Sequence, residues 1–315
     1  MLFVSLYNIE VTLRYGDEGM IKIDLHMHST VSDGTDRPEE ILEKVREAEL
    51  SVFSVSDHDA IKCSTIIPGL LKSGDPEFIT GVEFSCKDEE GKYHILGYGY
   101  DPEAESIRKV VETGHNYRMD TVRRRLKFLS EKWNIRFPEE EVRNLLALDN
   151  PGKPHIGNLM VKCGFVSSRK QAFEEYINKI PNAEKYVHPK DAIQGILGAG
   201  GIPVLAHPFF GSGSSRIPVD NLRERVERLS GYGLLGIEAF YSDFDDDQIR
   251  EALKIAQDLR LYVTAGSDYH GGNKKIPLGE TGMERFFSGK EIRDDLPELS
   301  GLRRFLSDVR KIRAS

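Results

Sequence analysis

The sequence predicts an α/β fold of barrel type, with a helical block inserted between two runs of strand–helix alternation. Three observations carry this. Between residues 20 and 101, short β-rich runs each carry histidine or carboxylate residues near their ends. Functional side chains at the ends of successive strands are the arrangement of a barrel-type site. Residues from about 103 to 198 lose the strand signal and read as helix, and alternation resumes at Ile202.

The first strand lies in Lys22–Gly34, where Ile23, Leu25 and Met27 alternate with Asp24, His26 and His28. On a strand this puts His26 and His28 on one face, where two imidazoles can chelate one cation. Asp33 follows in a Ser-Asp-Gly turn, within reach of a neighbouring cation. Alone, the same pattern equally describes a half-buried strand with incidental histidines. Thr35–Glu39 reads as a helix start, with Pro38 in the first turn and Asp36 with Glu39 as a capping box. Ile41, Leu42, Val45 and Ala48 then form one apolar face to about residue 49. A second strand, Ser51–Ser56, runs into Asp57-His58-Asp59. Phe78–Phe84 is a third, with Glu83 near its end, and Tyr93–Tyr98 a fourth, carrying His94.

In the helical block, Met119, Val122, Leu126, Leu129 and Trp133 are spaced 3, 4, 3, 4, an apolar stripe. Arg118, Arg123, Arg124, Arg125 and Lys127 occupy the other faces. The block is expected to be an inserted subdomain with its core over residues 115–185. Beyond it, Ile202–Pro208 is a strand carrying His207, followed by a helix at about 219–230 and the strand Leu234–Tyr241. A helix at about 245–258 leads to the strand Leu261–Ala265, which ends in Gly266-Ser267-Asp268-Tyr269-His270, and a charged helix covers about 290–313. The glycine-rich run Gly195–Gly201 precedes a strand instead of following one, so it reads as a helix end and turn, not a nucleotide loop. The expected organisation is an extension over 1–19, a barrel from 20–102 and 199–289, the insertion 103–198 and a helical tail 290–315. Met1–Leu13 is apolar but short, lacks a basic leading region and contains Asn8 and Glu10, so no signal peptide is expected. Residues 1–19 are either an extension upstream of a natural start at Met20 or an added edge strand, Leu2–Tyr7.

Composition narrows the function classes. The 315 residues are 39% hydrophobic and 30% charged, with a net charge of −8, which describes a soluble, mildly acidic protein. Such a chain does not coat long duplex nucleic acid through bulk charge, although local cations can still bind a small anion. No run is long and apolar enough to span a bilayer. Cys63, Cys86 and Cys163 are scattered, odd in number and form no C-x-x-C pair, which fits a reducing cytoplasm. No obligate protein partner is evident.

Of nine histidines, six sit at expected strand ends: His26, His28, His58, His94, His207 and His270. Asp33, Asp57, Glu83 and Asp268 share those positions. Imidazole with carboxylate suits Zn, Mn or Fe better than Ca or Mg, and so many donors exceed the needs of one ion. Six motifs occur in order: D-L-H-x-H-S-x-x-S-D-G, S-D-H-D, G-x-E-F, H-I-L-G-Y, A-H-P and S-D-x-H. Together they resemble the PHP (polymerase and histidinol phosphatase) superfamily over about residues 20–101 and 200–285.

The resemblance implies a distorted seven-stranded (β/α) barrel binding two or three divalent ions. It implies His26, His28, Glu83 and Asp268 around a first ion, and Glu83 bridging to a second shared with His94 and His207. Asp33, His58 and His270 would hold a third. Glu83, His207 and Asp268 are thereby implied as catalytic. Asp33 stands where some relatives, histidinol phosphatases included, place a histidine, which makes the third site harder and more anionic. Asp24, Asp57 and Asp59 are read as groups that orient imidazoles, or alternatively as turn and cap residues. His115 and His188 match no motif and read as surface residues.

The insertion resembles the bacterial branch acting on nucleoside 3′,5′-bisphosphates and, as 5′→3′ exonucleases, on short RNA. That branch commonly shows Arg-Pro-His where this chain has Lys153-Pro154-His155; lysine keeps the charge but not the planar fork. Arg118, Arg123, Lys153 and His155 are therefore expected to bind substrate, and Arg124 and Lys127 to form a solvated face. The implied reaction is metal-dependent hydrolysis of a nucleotide phosphate ester by direct attack of activated water. No serine or cysteine nucleophile motif is present, so no covalent phosphoenzyme is expected. Two other readings compete: a phosphatase for another small phosphate such as histidinol phosphate, and a non-catalytic metal-binding module. The large basic insertion and Asp33 weigh against the first, and the full set of nine implied ligands against the second.

Overall fold

Eight strands carry the architecture of the computed structural model, which describes residues 21–181, 185–210, 219–288 and 296–314. They are β1 (Ile23–Asp24), β2 (Val52–Phe53), β3 (Glu77–Phe78), β4 (Gly81–Asp88), β5 (Gly91–Tyr98), β6 (Ile202–Leu205), β7 (Gly236–Tyr241) and β8 (Tyr262–Gly266). β1, β2 and β3 form one parallel sheet; β4 to β8 form a second, in sequence order. Isolated contacts join the two sheets at both sides. Leu25 N–H donates to Ala265 O at 2.9 Å and Met27 pairs with Tyr269; opposite, His58 pairs with Glu83. The fold is thus mixed α/β, and its regular pairing comprises two sheets.

Local chemistry explains where the strands depart from their expected form. The run from Lys22 to His28 pairs regularly only at Ile23–Asp24, because beyond it the chain turns its polar side chains inward. Phe78–Phe84 divides into β3 and β4. β4 and β5 form an antiparallel hairpin whose tip is closed by Asp88, which accepts from Glu90 N–H at 3.0 Å and Gly91 N–H at 3.2 Å. β5 also runs against β6, whereas β6, β7 and β8 are parallel. β6 and β7 are buried throughout, as their near-continuous apolar sequences require. The helix Cys63–Leu70 was not foreseen, since no amphipathic period marks it.

The helical block consists mainly of Glu105–Trp133, Glu139–Leu146, Lys153–Lys162 and Pro189–Gly198. The long helix ends where Asn134 turns left-handed at φ 54°. Val122 and Leu129 of its stripe pack with Ile156, Leu159, Met160 and Ala172 in a core separate from that of the sheets. Ile107 and Val110 at its start, and Ile193 and Ile196 of the last helix, join the main core instead. Gly195–Gly201 is a helix end and turn, with Gly200 at φ 76°. The terminal helix is Ser300–Ala314. Cys63, Cys86 and Cys163 are free, and no helix among the described residues is long and apolar enough to cross a membrane. The expectations for residues 1–19, including the strand Leu2–Tyr7, lie outside the described residues.

Trp133, the chain's one tryptophan, borders the insertion's core, so its emission reports on that core. Ile156→Ala is expected to shift the Trp133 fluorescence transition to lower denaturant, by about 2–5 kcal/mol, the usual cost of emptying a fully buried aliphatic site.

Candidate metal centre

The centre is built on close backbone approach. Where β8 ends, a Cβ on Gly266 would lie 2.3 Å from Glu238 Oε1 and 2.3 Å from His26 Cβ, so only glycine lets β8 pass the His26 ring. A Cβ on Gly34 would lie 2.1 Å from His28 O. Asp59, His207 and Asp268 hold positive φ values of 49°, 27° and 56°. Side chains rarely accept that backbone region, and such strain gathers at functional sites.

All nine residues implied as ligands converge. Glu83, 1% exposed, lies at the middle. Its Oε1 is 2.8 Å from His94 Nδ1, 3.3 Å from His207 Nε2 and 3.3 Å from His26 Nε2. Its Oε2 is 2.9 Å from His58 Nδ1 and 3.3 Å from His28 Nε2. Asp268 Oδ1 lies 3.3 Å from both His28 Nε2 and His270 Nδ1, and Asp33 Oδ1 lies 3.2 Å from His270 Nε2. Three donor groups have mutual separations within 4.8 Å: His28, Asp33, His58 and His270; His26, His28 and Asp268; and His58, Glu83 and His94. His58 therefore stands between two groups, and His28 joins the one around Asp33. His94 occupies the N-terminal half of β5, within the strand and not at its end as expected. The antiparallel course of β5 brings that half to the same rim.

Charge and hydrogen bonding show what this set fits. Burial alone would raise the Glu83 carboxyl, yet the imidazoles of His94, His58 and His26 hold it well below the usual carboxylate range. Burial would likewise raise Asp33 and Asp268, and His270 foremost among their neighbours holds both low. His26 Nε2, His28 Nε2, His58 Nδ1 and Glu83 Oε2 are buried without any hydrogen bond. Buried donors normally find partners; unshared lone pairs converging between imidazoles and carboxylates fit divalent cations.

Sequence reasoning missed the residue that orients the cluster. Glu238 of β7 is fully buried; its Oε1 is 3.0 Å from His26 Nδ1 and its Oε2 accepts from His207 N–H at 2.7 Å. A lone carboxylate in the apolar run Gly236–Tyr241 was the available signal. Asp268 is similarly held from behind: its Oδ2 accepts from Tyr241 Oη at 2.9 Å and Lys274 Nζ at 2.8 Å. Of the two readings open for Asp24, Asp57 and Asp59, their contacts follow the second: they fix turns and loops instead of imidazole rings. Asp24 accepts from Ser267 Oγ and N–H, Gly279 N–H and His26 N–H, tying β1 to the loop after β8. Asp57 accepts from Ser29 N–H, Ser29 Oγ and Ser32 Oγ, fixing the turn that carries Asp33. Asp59 accepts from Ser85 N–H and from Arg118.

The insertion closes over one side of the cluster. Asn150 donates its side-chain amide to His58 O, and Arg169 donates to Asn273 O at 2.9 Å. Between insertion and rim lies a cavity of about 390 Å³, lined by His58 and His94 on one side and by Arg118, Arg125 and Lys153 on the other. Arg118 Nη2 donates to Asp59 Oδ2 at 2.6 Å and Ser85 Oγ at 3.0 Å. His155 Nδ1 accepts from Gly152 N–H at 3.0 Å, which leaves the neutral ring's proton on Nε2. Arg123, expected to bind substrate, stands away from the cavity: it is 57% exposed and faces Asp120. The buried Arg125 lines it, with Thr121 and Val122. Positions 118, 121, 122 and 125 share one helical face at i, i+3, i+4 and i+7, the spacing that distinguishes Arg125 from Arg123.

A model of the family described as "PHP domain" matches residues 24–190, just over half of the chain's 315. A 5′-3′ exoribonuclease of Haemophilus influenzae is 27% identical over 82% of this chain and 93% of its own length. A 3′,5′-nucleoside bisphosphate phosphatase of Chromobacterium violaceum is 27% identical over 80% of this chain and 88% of its own. A phosphoribosyl 1,2-cyclic phosphate 1,2-diphosphodiesterase of Eggerthella lenta is 29% identical, covering 81% and 96%. A solved structure from Bifidobacterium adolescentis, provisionally described as a metal-dependent phosphoesterase, superposes with a TM-score of 0.74 at 25% identity, covering 91% of this chain and 96% of that one.

Added Mn²⁺ or Zn²⁺ is expected to raise the thermal midpoint, since an ion bound only by the folded chain stabilises it. Glu83→Gln should lose most of that increment and, by elemental analysis, most bound metal. An unchanged increment in the variant would remove Glu83 from the ligand set.

Proposed function

The chain belongs to the PHP domain family, and from that premise we propose that it is a metal-dependent phosphoesterase hydrolysing phosphate esters of nucleotides: nucleoside 3′,5′-bisphosphates or short 5′-phosphorylated RNA. The observation that carries this reading is the cavity running from His58 and His94 to Arg118 and Arg125. It sets a second anion site beside the cluster, which a substrate with two phosphates needs and a small phosphomonoester such as histidinol phosphate does not. The relatives named for nucleotide and RNA substrates support the same class.

In this reading His26, His28, Asp33, His58, Glu83, His94, His207, Asp268 and His270 hold two or three ions of Mn, Zn or Fe. Those ions would acidify water for in-line attack and offset charge on the phosphoryl oxygens. The chain's own groups position the rest. Glu238 holds the His26 ring by its Nδ1, and Tyr241 with Lys274 holds one oxygen of Asp268 so that the other faces the imidazoles. Asp59 and Ser85 fix Arg118 at the cavity wall, where its guanidinium is pre-ordered for a phosphate. His155 would donate from Nε2. We take the two bridged sheets as a distorted barrel, residues 103–198 with their core over 115–185 as the substrate-covering insertion, and the cytoplasm as the location.

A phosphate-release screen with Mn²⁺ across nucleotides, sugar phosphates and short 5′-phosphorylated RNA tests the reading. Arg118→Ala and His155→Ala should lower kcat/KM for a nucleoside 3′,5′-bisphosphate by at least about tenfold, roughly 1.4 kcal/mol. An aryl phosphate, with no second phosphate to hold, should lose much less. Lys127→Ala, on the solvated face beside Glu131, should change neither. Equal loss on both substrates would assign Arg118 and His155 to the chemical step or the fold.

A further inference from the structure

Two hydrogen bonds from the insertion lead to the backbone of one donor group. The group is His28, Asp33, His58 and His270, whose ligand atoms lie within 4.8 Å of one another. From the loop after Glu139–Leu146, Asn150 donates its side-chain amide to His58 O. From the short helix Arg169–Gln171, Arg169 Nη2 donates to Asn273 O at 2.9 Å. Asn273 in turn donates from Nδ2 to Asp33 O at 2.6 Å. The group around His26 and Asp268 is supported differently, from within the barrel, by Glu238, Tyr241 and Lys274.

The turn carrying His270 and Asn273 is packed tightly against the turn carrying Asp33. Gly271 has φ 60°, and a Cβ there would lie 2.1 Å from Thr35 Oγ1, which accepts from Gly272 N–H at 2.8 Å. The two turns thus form one unit, and Arg169 holds it from the insertion. Asn150 holds His58 in the same sense. It is 1% exposed, and its side chain makes no other hydrogen bond among the described residues. His58 also serves the group with Glu83 and His94, so Arg169, whose path leads to Asp33, is the more selective probe.

We propose that Arg169 and Asn150 are positioning residues for a divalent ion held by His28, Asp33, His58 and His270, so that occupancy of that site and docking of the insertion are linked. This rests on the metal reading above. Linkage is reciprocal: the factor by which docking strengthens ion binding is the factor by which the ion strengthens docking. The cavity beneath the insertion has walls from both parts. Ion occupancy therefore controls how well that cavity is assembled.

Calorimetric titration of Mn²⁺ into the metal-free full chain tests this. Asp33→Asn should abolish one binding step. Arg169→Ala should weaken that same step at least about tenfold, the usual effect of removing a group that supports a ligand, and leave the other steps unchanged. Arg169→Lys, which keeps a donor, should restore most of the affinity. In the Asp33→Asn background, Arg169→Ala should change nothing further. Amide hydrogen exchange reads the reverse direction. Mn²⁺ should slow exchange over residues 150–171 of the wild type beyond any slowing in the terminal helix Ser300–Ala314, and Asp33→Asn should lose that excess. The exchange result decides even where Arg169→Ala fails to fold. Equal weakening of every step in Arg169→Ala, no weakening, or no excess protection of 150–171 would overturn the proposal and leave the metal reading standing. A wild-type chain that binds no Mn²⁺ would remove both.

Discussion

The structure turns on one buried carboxylate. Glu83 has five imidazoles within about 3.3 Å of its two oxygens. Removing an ionised carboxylate from water is costly unless charge and hydrogen bonds replace the lost hydration. Protonating five adjacent rings would set positive charges against one another, and His94 shows that conflict: burial lowers its pKa, and His207 and His58 lower it further against the pull of Glu83. Shared cations, as proposed for this cluster, would resolve the conflict with neutral rings and ionised carboxylates. The second layer around the cluster follows the same economy, since Glu238, Tyr241 and Lys274 each fix a group at the far side from the centre.

The backbone is arranged to permit this density. β8 can run past His26 only because Gly266 has no side chain, and the turn bearing Asp33 closes on His28 only because of Gly34. Asp24 and Asp57, both buried, use their oxygens to clamp loops instead of rings. Asp24 does so while burial pushes its carboxyl up to about 6, with four donors from Ser267, Gly279 and His26 pulling it down. The Asp24 clamp joins segments more than two hundred residues apart in sequence, so the centre forms only when both halves of the fold are in place.

Much of this was legible in the sequence, and the limits have physical causes. His26 and His28 were readable because period 2 sets both on one face, and the later motifs were readable because ligating side chains recur where strands meet the rim. The direction of β5 was not, since a side-chain period says nothing of which way a strand runs. Glu238 was hidden because one polar residue inside an apolar run carries no spacing. The roles of Asp24, Asp57 and Asp59 depend on partners distant in sequence, Ser267, Ser29 and Arg118, which no local pattern reveals.

The arginine run shows how far spacing can be pressed. Arg118, Arg123, Arg124 and Arg125 are chemically equivalent in the sequence, and a basic helix reads as a solvated face unless the helix is given a phase. The apolar stripe supplies one. Val122 lies four residues beyond Arg118 and is fully buried, and Arg125 lies seven beyond, so all three fall on the face that lines the cavity. Arg123, one residue from Val122, is turned about 100° away. Burying Arg125 and half-burying Arg118 at the edge of an insertion with a core of its own costs solvation that a helix packed only for stability would avoid. Asp59 offsets part of that cost for Arg118, but through Oδ2 alone. A guanidinium held by one carboxylate oxygen and a hydroxyl, facing a cavity that opens onto the metal centre, keeps donors for an anion, and the insertion is thereby tied to the chemistry at the rim.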